Sequence, residues 1–239
     1  MRLLVLTEDS AKSASRVVEL LFKRLVTATI PGANISQLDP RPISPELTRI
    51  MRANNWRSAQ KEHRQDIVRL CNAIKVFIAD PSSFVVFHHD ADLPWRNRHN
   101  RGLREQFQKC VFNTVKMMME QDRRTPAFVQ EALSRVIHLV PHYSIEAWLY
   151  QNIDEARKLG ATEPQLNDWQ QDRGLLDELE KTPEQLPSLK RSANERLAET
   201  FNNATMRVAI RAGKSLFYEA WKISSNSQLK AALAKTAAR

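Results

Sequence analysis

The run Phe84-Val85-Val86-Phe87-His88-His89-Asp90-Ala91-Asp92 carries the decisive reading of this chain. Four apolar residues without alternation, closed at once by polar ones, mark a strand buried on both faces, as in a parallel sheet with helices on each side. Two carboxylates two residues apart, just past such a strand, can converge on one point. Close together and poorly solvated they repel, so a metal ion or a basic partner is expected beside them. For the pair alone, a polar turn that ends the strand accounts for the residues equally well.

Working outward, residues 2–7 form a second compact apolar run, followed by Glu8 and an amphipathic helix over 11–27, with Asp9 or Ser10 as its N-cap. Residues 35–38 read as a short strand, and Pro40, Pro42 and Pro45 mark a loop. Helices are expected over 45–54, 57–76, 101–121 and 128–134, a third strong strand over 136–140 ended by Pro141, and another helix over 145–151. This alternation argues for a three-layer α/β core with a mostly parallel sheet over residues 1–150. Ligands of such sheets bind at the carboxyl ends of the strands, where Glu8, Asp90 with Asp92, and residues 142–146 fall. His88 and His89 point to opposite faces of their strand, so at most one joins the acids.

Residues 151–239 hold no convincing strand and read as a helical C-terminal region. Its first part, 151–187, is acidic, with nine Asp or Glu against four Lys or Arg. Its last part, 205–239, is basic, with seven Lys or Arg against one Glu, and residues 93–119 are basic as well. Over all 239 residues the net charge is +9, a balance that favours polyanionic partners such as nucleic acid. Only 5 residues are glycine, which excludes folds and phosphate sites built from several glycine turns. Gly213-Lys214-Ser215 resembles the end of a phosphate-binding loop, but the required earlier glycine is Val208. No Cys-x-x-Cys or His-Glu-x-x-His occurs, and Cys71 and Cys110 fit free buried thiols in a reducing compartment. No run approaches the length of a membrane span and no signal-peptide layout opens the chain, so a soluble cytoplasmic protein is expected.

The order strand–Glu8–helix, then strand–Asp90-x-Asp92–helix, then a further strand resembles the Toprim fold of topoisomerases, primases and overcoming-lysogenization-defect nucleases. After the third strand, Ile145-Glu146-Ala147-Trp148-Leu149 resembles a segment of small bacterial Toprim-like proteins often encoded beside an ATPase in anti-phage defence loci. The resemblance covers residues 1–150. It implies that Asp90 and Asp92 hold Mg²⁺ or Mn²⁺, that Glu8 binds metal or acts as general base, and that Glu146 is an additional acid at the site. It also implies a lysine near the metal, for which Lys214 is the candidate, an ATPase partner and a role in host defence. Glu146 equally suits the first turn of a helix for its charge alone, and Trp148 suits the core.

Arg96, Arg98, Arg101 and Arg104 follow the acids directly and suit phosphate oxygens, which a planar guanidinium grips bidentately. Lys190, Arg191, Arg207, Arg211 and Lys214 could extend that surface. The leading expectation is a metal-dependent endonuclease acting on DNA, tRNA or other RNA phosphodiesters. The alternative is a non-catalytic, basic nucleic-acid-binding or scaffold subunit, and homo-oligomerisation is left open. A transferase using Asp-x-Asp on a sugar nucleotide leaves Glu8 and the arginines unexplained. A haloacid-dehalogenase-type phosphatase is disfavoured because its Asp-x-Asp lies on the first strand and continues to Thr.

Overall fold

The computed structural model describes residues 1–8, 13–58, 60–97, 102–142, 144–178 and 192–234. Its elements run β1 (Arg2–Thr7), α1 (Ala14–Thr29), β2 (Asp39–Arg41), α2 (Pro45–Arg52), α3 (Arg64–Ile78), β3 (Ser83–His88), α4 (Gly102–Gln106), α5 (Asn113–Gln121), α6 (Pro126–Leu133) and β4 (Val136–Leu139). The C-terminal region adds α7 (Glu146–Leu149), α8 (Ile153–Lys158), α9 (Glu163–Gln171), α10 (Ser192–Thr200), α11 (Asn203–Ala212), α12 (Ser215–Ser225) and α13 (Ser227–Ala234). The four strands form one sheet in the order β2-β1-β3-β4, every pair parallel. The α/β class, the parallel sheet and the helical C-terminal part are as the sequence leads one to expect.

Alternation along the two central strands builds both cores. Leu3, Val5, Phe84 and Val86 face α1, and Leu4, Leu6, Val85 and Phe87 face α2, α3 and α5. Both strands are buried on both sides, which is why they read as continuous apolar runs. α10, α11 and α12 pack on the outer side of α1, so the core beneath it continues into the C-terminal helices through Leu197, Met206 and Leu216.

The structure moves the second strand. Residues 35–38 make a short 3₁₀ turn, Ile35–Gln37, in which the Asn34 side chain accepts from the Ser36 amide at 3.1 Å. The strand is Asp39-Pro40-Arg41, in the stretch its prolines mark as loop, paired with Arg2-Leu3-Leu4. It lies at the sheet edge, where a proline's missing N–H costs the ladder nothing. The helix expected over 101–121 is interrupted by a π-helical segment, Phe107–Phe112. The helix expected over 57–76 begins only at Arg64, which leaves Arg57 in a 3₁₀ turn, Asn55–Arg57.

β1 is followed in sequence by β2 on one side, and the chain then returns to β3 on the other. The switch point between β1 and β3 is where open α/β sheets leave a crevice. Among the described residues no helix is long and apolar enough to cross a membrane.

Phe22 of α1 is fully buried, whereas Val76 of α3 is 63% exposed. Phe22→Ala should cost about 3–5 kcal/mol, and Val76→Ala no more than about 0.5 kcal/mol. Urea denaturation of the two variants checks this.

Candidate functional site

β1 and β3 run in register from Arg2 opposite Ser83 to Thr7 opposite His88. The residues that follow them therefore emerge side by side. Glu8 Oε1 accepts from the Asp90 backbone amide at 2.8 Å, which ties the two strand ends together. The ladder to β4 continues past the strand: the His89 amide donates to Leu139 O at 3.3 Å and the Ala91 amide to Pro141 O at 3.0 Å. Asp92 then turns the chain with φ +53°, a left-handed conformation that aspartate tolerates better than most residues.

The cation at this point is Arg57. Its guanidinium pairs with Glu8 Oε2 and reaches Asp92 Oδ2 at 3.4 Å. Arg57 is held from below by Trp56, fully buried against Phe87, His89 and Phe107. Asp66 anchors the turn from the side, accepting from Asn55 at 2.6 Å and from Arg49 at 2.7 and 3.2 Å. Asn54, at φ +55°, has its amide placed to donate to Glu8 Oε2 and to Met51 O, each at 3.1 Å.

Asp90 is the electrostatic outlier. Burial pushes its carboxyl up to about 6, against the pull of His88, and the neighbouring Glu146 and Glu8 push the same way. Its Oδ1 lies 3.4 Å from His88 Nε2, and the other nitrogen of that ring is 3.0 Å from Thr7 Oγ1. His89 turns to the opposite side. Its Nε2 is 2.7 Å from His138 Nε2 and its Nδ1 is 3.0 Å from Asp90 O. That geometry is satisfied when His138 donates to His89 and His89 donates to the carbonyl. Burial lowers His89 to about 3, so the pair is neutral near pH 7.

The structure thus brings together Glu8, Asp90 and Asp92, with Glu146 close enough to act on Asp90. Glu146 is half-buried at the start of α7 and accepts from Asn194 at 2.9 Å. Lys214 is engaged by another acid. Its ammonium pairs at 2.7 Å with Glu178, whose other oxygen accepts from the Arg96 amide at 3.1 Å. Gly213-Lys214-Ser215 is a helix start: buried Asp177 accepts from the amides of Lys214 and Ser215 at 2.9 and 2.8 Å and from Ser215 Oγ at 2.5 Å. Trp148, placed in the core as expected, donates to the same hydroxyl at 2.7 Å. Arg104 pairs with buried Glu219 at 3.2 Å, and Arg96 is exposed on the turn after Asp92. Arg98, Arg101, Lys190, Arg191, Asp9 and Ser10 lie outside the described residues. Cys71 and Cys110 are free and buried.

Arg57 is the residue the sequence reading passed over. Nothing in its spacing marks it, since the pattern places it at the start of the helix expected over 57–76. The signal was indirect: an acid pair of this kind demands a cation, and a basic side chain was one of the two forms it could take.

Three carboxylates suit a hard divalent ion by their chemistry. Their placement does not: two of them are engaged by a guanidinium, and no three His, Cys, Asp or Glu side chains among the described residues stand close enough to share an ion. In this arrangement the centre is an acid–arginine cluster and does not fit a resident metal. No protein-family model, curated protein or solved structure matches the chain.

Removing Arg57 leaves the nearly buried Glu8 carboxylate without its counter-ion. Arg57→Ala should destabilise the protein by about 3 kcal/mol at neutral pH, with partial recovery in Arg57→Lys, as read by thermal and urea unfolding. Asp90 supplies a second check. Its pKa is raised in the folded protein to about 6, so between about 4 and 6 the folded chain binds more protons than the unfolded one. Its contribution to stability is therefore present at pH 4 and lost as pH rises through 6. Asp90→Asn should gain stability relative to wild type over that interval, measured by denaturation at a series of pH values.

Proposed function

We propose that the acid–arginine cluster is the catalytic centre of a Toprim-like nuclease that hydrolyses phosphodiesters of DNA or RNA. The observation that carries this reading is the meeting of Glu8, Asp90 and Asp92 at the β1/β3 switch point, where α/β sheets bind their ligands. The strand–Glu8, strand–Asp90-x-Asp92 order and the Ile145-Glu146-Ala147-Trp148-Leu149 segment supply the family resemblance.

In this reading each residue has a task that follows from its surroundings. Asp90, titrating near 6, populates both protonation states around neutrality and is suited to exchange a proton at a reacting oxygen. Glu8 holds the Asp90 backbone in place. Arg57 turns donors from the carboxylates to a phosphate oxygen, a bidentate match its planar head provides. Arg96, exposed beside Asp92 in sequence, steadies the backbone of the substrate. Mg²⁺ or Mn²⁺ belongs to the proposal only with Arg57 drawn away from Glu8 and Asp92. An ATPase partner, a defence role and a cytoplasmic setting complete it; the first two rest on the resemblance alone.

The pairing of Glu8 and Asp92 with Arg57 favours a second reading, a non-catalytic nucleic-acid-binding or scaffold subunit, because a neutralised cluster has no need of chemistry.

Purified protein, with and without the neighbouring ATPase, would be offered plasmid, single-stranded DNA and tRNA in Mg²⁺, Mn²⁺ or chelator. Cleavage is expected and should fall at least about 100-fold in Asp90→Ala, Asp92→Ala and Glu8→Ala. Cleavage that survives all three removes the site assignment, and cleavage undiminished by chelator removes the metal. Binding without cleavage under every condition supports the scaffold reading.

A further inference from the structure

A surface helix ordinarily turns a polar face to water. On α12 the buried face is Ser215, Leu216, Glu219, Ala220 and Ile223, and the outward face carries three aromatic rings. Phe217, Tyr218 and Trp221 are 54%, 40% and 56% exposed. Packing does not account for rings left this open, and a cluster of them marks a contact site.

The surroundings indicate what the contact is. Tyr218 carries two cations over its ring, Arg104 at 5.4 Å and Lys222 at 5.6 Å from the centroid. Both are held there by Glu219, fully buried one residue further on, at 3.2 Å from Arg104 and 2.6 Å from Lys222. The rings also continue toward the acids. Trp221 and Tyr218 lie 6.1 Å apart, Tyr218 and Trp95 6.3 Å, and Trp95 and His142 4.8 Å. Trp95 is three residues past Asp92, and His142 follows Pro141, whose carbonyl accepts from Ala91 between the two aspartates. On the preceding helix Arg207 and Arg211 are exposed, in the most basic part of the C-terminal region.

We propose that this face of α12 is a base-stacking platform for single-stranded nucleic acid, from which a strand reaches the acid–arginine cluster. The proposal rests on the nucleic-acid reading above and deepens it by naming unpaired strands as the substrate class. Exposed aromatics interleaved with Arg and Lys are the means by which proteins hold single strands: rings take the base faces and cations the phosphates. Duplexes offer no free base faces to the rings. Lysine is depleted at the core of a protein-docking face, whereas here Lys222 stands over the central ring itself.

The test measures fluorescence anisotropy with short labelled strands of one sequence as single-stranded DNA, single-stranded RNA and duplex, beside an abasic deoxyribose-phosphate strand of equal length. The full chain is compared with Phe217→Ala, Trp221→Ala and Trp221→Phe, all at exposed positions. Single strands are expected to bind about tenfold or more tighter than duplex or abasic strand; each alanine change should weaken that binding about tenfold, and Trp221→Phe should retain most of it. Equal binding of the abasic strand, or alanine variants that bind like wild type, overturns the platform. So does light scattering that finds the wild type associated with itself and the alanine variants monomeric, which would make the face an interface between copies. The two readings fail separately. Cleavage insensitive to Phe217 and Trp221 removes the platform alone, and base-dependent binding without cleavage removes the nuclease alone.

Discussion

The six-residue parallel register between β1 and β3 is the constraint on which the candidate site depends. It sets Thr7 beside His88, and so places Glu8 where it can accept from the Asp90 amide. A shift of one residue would turn Leu4 and Leu6 from the α3 side of the sheet to the α1 side; both faces are apolar, so it is the close fit of the packed side chains that opposes it. The apolar packing that stabilises the sheet is thus also what aligns the acids. Burial of both strands on both faces makes the register stiff, and the residues just beyond it inherit that stiffness.

Gathering carboxylates at a poorly solvated strand end creates an electrostatic problem that the protein solves with a side chain. Arg57 neutralises Glu8 and reaches Asp92, and the turn that carries it is pinned by Trp56 below and Asp66 beside it. Asp90 is not among the acids Arg57 pairs with, and burial pushes its carboxyl up. One arginine and one buried pocket thus divide the acids into a paired set and a carboxyl with a raised pKa of about 6. The same division would supply a proton-exchanging group and a phosphate donor to a nuclease, or a quiet, charge-balanced surface to a scaffold subunit.

The C-terminal helices do more than cover α1. Asp177 caps the start of α12 and Trp148 ties that start to the segment after β4. Lys214, through Glu178, fastens the turn at Arg96 to the helical region. The acidic and basic stretches that stand apart in sequence are in part each other's partners here. Glu178 of the acidic stretch holds Lys214, while Glu219, the single acid of 205–239, holds Arg104 and Lys222. Two of the candidate phosphate ligands are thereby engaged within the fold, while the exposed aromatic face of α12 is left to solvent.

Much of the architecture was legible in the residues because it rests on local pattern. Unbroken apolar runs marked β1 and β3, an apolar run interrupted by His138 marked β4, and the acids follow the first two in sequence. The edge strand escaped, since Asp39-Pro40-Arg41 owes its strand conformation to β1 and to nothing in its own composition. Arg57 escaped for a related reason: its role comes from the chain folding back on Glu8 across a sequence separation of 49, which no spacing rule spans. Lys214 is named by the resemblance alone; in the fold Asp177 accepts from its amide and Glu178 from its ammonium at the start of α12. The sequence by itself determined the α/β class, the buried strands and which carboxylates follow them, because hydrophobic periodicity is written along the chain. Only the tertiary structure decided which cation answers those carboxylates, because the pairing of charges depends on distances in space.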